Sequence, residues 1–121
     1  MLALILGWIN FSLFLFVTSP FWINLFARKV FHVKNAKYTK FLSTLRRIHK
    51  PVGVVLLGTA FIHGTIALGG ISLHTGLLVA LVIAFIVALG VVFYKTRKKA
   101  AFKAHRALAL ICLVLLLVHI I

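Results

Sequence analysis

Not one aspartate or glutamate occurs among these 121 residues, and there is a single cysteine, Cys112. The missing carboxylates exclude an Asp or Glu general base. They also deny a zinc ion the third or fourth ligand it would want beside histidine, which one cysteine cannot make up. The lone cysteine excludes an internal disulfide. There is no Gly-rich dinucleotide motif and no soluble stretch long enough to hold a nucleotide domain. Nor does a basic region precede the first apolar run, which is long for the core of a signal peptide, so it is expected to be a retained helix.

What is present is mostly hydrocarbon. Apolar residues make up 64% of the chain and mean hydropathy is +1.20. Charge-free stretches mark four expected spans, about 1–27, 51–71, 73–94 and 100–121, the last with Lys103 and Arg106 snorkelling to the interface. At about 1.5 Å per residue each can cross a hydrocarbon layer of roughly 30 Å. The expected fold is one all-α domain, an integral membrane four-helix bundle. Trp8, Trp22 and Tyr94 are expected as interfacial anchors.

Lysine and arginine carry a formal net charge of +14. Eight lie between the first and second spans (Arg28, Lys29, Lys34, Lys37, Lys40, Arg46, Arg47, Lys50) and six lie between the third and fourth or at the start of the fourth (Lys95, Arg97, Lys98, Lys99, Lys103, Arg106). The 68–72 turn has none. By the positive-inside rule both basic connections are expected in the cytoplasm, with the Gly69-Gly70 turn and both termini extracytoplasmic. Such short juxtamembrane clusters suit topology and contact with anionic membrane lipid, and without a recognition fold they do not indicate nucleic acid. The expected location is a prokaryotic cytoplasmic membrane.

Histidine inside a bilayer is costly and usually marks a site or pathway. His49 and His63 are fourteen residues apart, and so are His105 and His119. Fourteen steps of about 100° fall only about 40° short of four full turns, so each pair shares a helix face with about 21 Å between its members. The second and fourth helices are expected to run in the same direction, which sets His49 against His105 at the inner level and His63 against His119 at the outer. Each facing pair fits the two axial positions of a haem iron. Filling both leaves no position for oxygen or substrate, which points to electron transfer. No Cys-x-x-Cys-His motif exists, so c-type attachment is excluded and two non-covalent, bis-histidine haem b groups are expected.

Other residues fit around these levels. Gly53, Leu56 and Ala60 on the second helix and Ala109, Cys112 and Leu116 on the fourth form a low seam with room for a flat macrocycle. Gly76 and Gly90, again fourteen apart on the third helix, suit either backbone approach to a ligand or simple helix packing. Inner propionates are expected near Arg46, Arg47, Lys50, Lys103 or Arg106. Outer ones would use Ser72, His74, Thr75, water or the Met1 amino group. Cys112 is expected as a buried spacer and His32 as a solvated loop residue.

These histidine and glycine pairs on a four-helix chain resemble the di-haem core of the cytochrome b subunits of quinol:cytochrome c reductases. His49-Lys50-Pro51-Val52-Gly53 and His105-Arg106 are also similar to the His-basic helix starts of the ferric reductase and NADPH oxidase membrane domain. The resemblance implies electron transfer across the membrane between a redox partner protein or quinol and an external acceptor.

Departures from these families are specific. Their additional helices or cytosolic flavin and nicotinamide domain have no counterpart in these 121 residues, so electrons are expected to arrive from another molecule. The first helix has only Gly7 and therefore lacks the second glycine pair of the quinol-oxidising family. Ascorbate-linked di-haem cytochromes, with one ligand on each of four helices, do not match the paired spacing. Two other readings stay open: a haem-bearing anchor subunit of a larger oxidoreductase, and a small channel or transporter. Multidrug exporters need a membrane glutamate that is absent here, and a fluoride-type channel built on Asn10, Asn24 and phenylalanine gives no reason for the histidine pairs.

Overall fold

The structure, a computed structural model, describes residues 1–32, 35–69 and 75–121. Its elements are α1 (Leu2–Lys29), α2 (Ala36–Leu68), α3 (Thr75–Thr96) and α4 (Lys99–Ile120). There is no strand among the described residues, and all four helices are long and apolar enough to cross a membrane.

The helix ends follow from local chemistry. Asn35 caps α2 by accepting the Tyr38 backbone N–H on its side chain at 2.7 Å, and Gly69 ends it in the left-handed region at φ 64°. This cap starts α2 fifteen residues before the expected span at 51. With 33 residues α2 is about 50 Å long, so its basic first half extends beyond an apolar layer of roughly 30 Å. Leu42 and Leu45 on that extension are buried, as is Ala27 near the end of α1.

Two prolines lie inside helices, Pro20 in α1 and Pro51 in α2. Pro20 has no N–H to give the Phe16 carbonyl, and the Ser19 hydroxyl donates to that oxygen at 2.5 Å instead. Between α3 and α4 the chain reverses through Arg97 and Lys98, with Arg97 at φ 57°.

Neighbouring helices run antiparallel. Gly7, Asn10, Val17 and Asn24 of α1 meet His63, Thr59, His49 and Tyr38 of α2 in reverse order. On α3 and α4 the pairs are Thr75 with His119, Ile86 with His105 and Phe93 with Phe102. The α2 and α3 helices also pack together. Phe14, Val17, Leu56, Val79, Ile83, Cys112 and Leu116 form the core. Many large apolar side chains point outward, among them Phe85 and Val114 at 66% and 61% exposure, as expected for a surface solvated by lipid.

The four helices form two similar hairpins. Val17 and Ile86, 69 positions apart, occupy the same place beside His49 and His105, which are 56 apart. The same offsets relate Phe14 to Ile83 and Leu56 to Cys112 in the core, and Gly7 to Gly76 at the other end.

Candidate functional site

Four histidines on α2 and α4 meet in two pairs. The His49 and His105 ring centroids are 5.9 Å apart with planes at 71°, and those of His63 and His119 are 6.5 Å apart at 85°. A metal–imidazole bond is about 2.0 Å and a ring centroid lies about 1.1 Å behind its nitrogen, so two imidazoles trans on one metal have centroids about 6.2 Å apart. Both separations fit that value. No cluster of three or more His, Cys, Asp or Glu occurs among the described residues. Each level thus brings together two imidazoles and no third His, Cys, Asp or Glu among the described residues.

Hydrogen bonds orient the inner rings. His49 Nδ1 lies 2.6 Å from the Val17 carbonyl oxygen, and His105 Nδ1 lies 2.7 Å from that of Ile86. Carbonyls only accept, so Nδ1 carries the proton in both rings and Nε2 is left with its lone pair. That arrangement is the usual one around metal-bound histidine. At the other level His119 Nδ1 is 3.0 Å from the Thr75 hydroxyl, whereas His63 Nδ1 is buried with no hydrogen-bond partner among the described residues.

Glycine makes two of these ring positions accessible. A Cβ at Gly90 would lie 3.3 Å from His105 Cε1, and one at Gly7 would lie 3.2 Å from His63 Cε1. Gly90 therefore seats the histidine rather than only a ligand face. A Cβ at Gly53 would meet nothing within 4 Å.

Gly53 borders a cavity of about 720 Å³ that reaches His49, His105 and Gly90, a volume in the range of cofactor sites. Arg46, Arg47, Lys50 and Arg106 stand on the same cavity, and so does Arg97, which the sequence reading did not select; Lys103 is not on it. The Lys50 ammonium sits 4.1 Å over the Tyr94 ring and the Arg106 guanidinium 4.5 Å over Phe21, so aromatic faces hold both cations at the cavity edge.

The remaining residues are distributed as follows. Gly76 lies in the first turn of α3 beside Thr75, whose hydroxyl faces His119. His74 and Ser72, expected near outer propionates, lie outside the described residues. Cys112 is fully buried between the two histidine levels, with Leu56, Leu116 and Phe14. Asn10 donates to the Thr59 carbonyl at 3.3 Å, and Asn24 accepts from the Tyr38 hydroxyl at 3.4 Å, so both asparagines join α1 to α2.

Sequence reasoning missed Gly7 as a contact of His63, and it missed the carbonyls of Val17 and Ile86. The first was readable from the 69-residue offset between Gly7 and Gly76. A backbone acceptor leaves no mark on side-chain identity.

No family model matches the chain, and no curated protein or solved structure is similar to it.

Proposed function

We propose that this chain is a transmembrane di-haem b-type cytochrome that passes electrons between a cytoplasmic or membrane-borne donor and an external acceptor. The supporting observation is the pair of facing imidazoles at each of two levels, at separations suited to one metal ion between them. His49 and His105 would hold the inner iron, and His63 and His119 the outer. Bound there, haem would supply one-electron redox chemistry, with the two histidines of each pair as its protein ligands.

The chain's own residues do the holding and insulating. Val17 and Ile86 fix the inner rings by accepting from Nδ1. Arg46, Arg47, Lys50 and Arg106 offer cations to propionates at the inner level. Phe14, Leu56, Cys112 and Leu116 keep water out of the layer between levels. With both basic connections in the cytoplasm, the His49 level faces inward and both termini face outward. Anionic lipid is the expected contact of the clustered cations.

Vesicles holding the protein in one orientation test the proposal. Reduced on the cytoplasmic face, they should reduce an impermeant acceptor on the opposite face, and His63→Ala should abolish this while the inner haem stays reducible. Equal reduction by wild type, His63→Ala and protein-free vesicles would contradict it.

A further inference from the structure

Three of the four facing histidines have a described oxygen at Nδ1: the Val17 carbonyl for His49, the Ile86 carbonyl for His105 and the Thr75 hydroxyl for His119. His63 has none, and its Nδ1 is buried. The repeated hairpin supplies the reason. Thr75 immediately precedes Gly76 in α3, and the residue 69 positions earlier, immediately before Gly7 in α1, is Leu6. The leucine side chain has no oxygen to stand where the Thr75 hydroxyl stands. Gly7 brings α1 close to the His63 ring, with a Cβ position only 3.2 Å from Cε1.

A histidine that binds metal through Nε2 carries its proton on Nδ1. A buried N–H without an acceptor is disfavoured relative to one with a partner. An acceptor at Nδ1 also orients the ring and strengthens Nε2 as a donor. On both counts His63 would be the weakest ligand of the four. We propose that His63 is the one exchangeable ligand, an inference that rests on the di-haem reading above. In the reduced protein a neutral diatomic molecule replaces His63 at the outer iron, while the inner iron keeps both histidines. The iron–Nε2 bond breaks, a bond from iron to the small molecule forms in the same axial position, and neither electron nor proton is transferred. The outer level is then a binding site for a small external ligand as well as a relay. Thr75 acts there as a positioning residue for His119.

Carbon monoxide is the probe. Haem content of the purified full chain is measured first, and the dithionite-reduced protein is then exposed to carbon monoxide and followed by visible absorption. One of the two haems should change its spectrum. Leu6→Thr, which offers His63 a hydroxyl, should weaken carbon monoxide binding about tenfold, the size of one hydrogen bond. Thr75→Val, which removes one hydroxyl from His119, should change it much less, because His119 stays bound. Two haems that both ignore carbon monoxide, a response that Leu6→Thr does not move, or one that Thr75→Val strengthens tenfold would overturn the exchangeable His63. Fewer than two haems in the wild type would overturn the di-haem reading itself.

Discussion

His49 Nδ1 sits 2.6 Å from the carbonyl oxygen of Val17 on the neighbouring helix, which leaves Nε2 as the lone-pair nitrogen of a ring whose centroid is 5.9 Å from that of His105. The contact ties a residue of α1 to the pairing of α2 with α4. It also makes the inner level a unit whose two histidines are held alike, since His105 is held by Ile86 in the same way.

Each level should therefore empty separately. His49→Ala or His105→Ala should reduce the haem-to-protein ratio by one and leave the spectrum of the outer haem in place, and His63→Ala or His119→Ala should do the reverse. Loss of the His63–His119 haem on mutating His49 would mean that the pairs are assigned wrongly.

Glycine substitutions should act level by level as well. Gly90→Ala drives a methyl to 3.3 Å from His105 Cε1 and should perturb the inner haem, and Gly7→Ala drives one to 3.2 Å from His63 Cε1 and should perturb the outer. Each should displace the matching histidine ring by a few tenths of an ångström, read as a change in the spectrum of that level's haem. Gly53→Leu differs, because its Cβ position meets no protein atom within 4 Å. It should leave helix content unchanged and lower inner haem occupancy, and unchanged occupancy would show that no macrocycle uses that space.

The pairing of helices was legible because histidine is rare in apolar helices and the interval of fourteen repeats, so His49 and His105, and His63 and His119, could be matched once α2 and α4 were set running the same way. The boundary of α2 was not legible. Its first half, from Ala36 to Lys50, reads as a charged loop by hydropathy, and what makes it helical is the Asn35 cap with Leu42 and Leu45 packed inward. Gly90 was weighed for close approach to a ligand or for helix packing, and it lies against the His105 ring while bordering the cavity. Thr75 was weighed for a propionate, and its hydroxyl meets His119 Nδ1.

Topology can be read independently of haem. Tags at residue 1 and after Ile121 should react with an impermeant label on intact cells, because all the lysines and arginines lie toward the α1–α2 and α3–α4 end of the chain's hairpins. Protection of both tags would reverse the orientation and exchange inner with outer.

Cys112 reports on the layer between the two levels. Its side chain is fully buried, so a water-soluble thiol reagent should leave it unmodified in the folded protein and modify it completely on denaturation. Immediate reaction in the folded state would show that Leu56, Leu116 and Phe14 do not pack around it as described.

Haem stoichiometry decides most directly whether the two histidine pairs are what they are proposed to be. Purified from cells supplied with iron and haem precursors, the chain should contain two haems per polypeptide, all removable by acid–acetone because no Cys-x-x-Cys-His attachment motif exists. A ratio of one or zero, or haem that resists extraction, would contradict two stacked bis-histidine b-type sites.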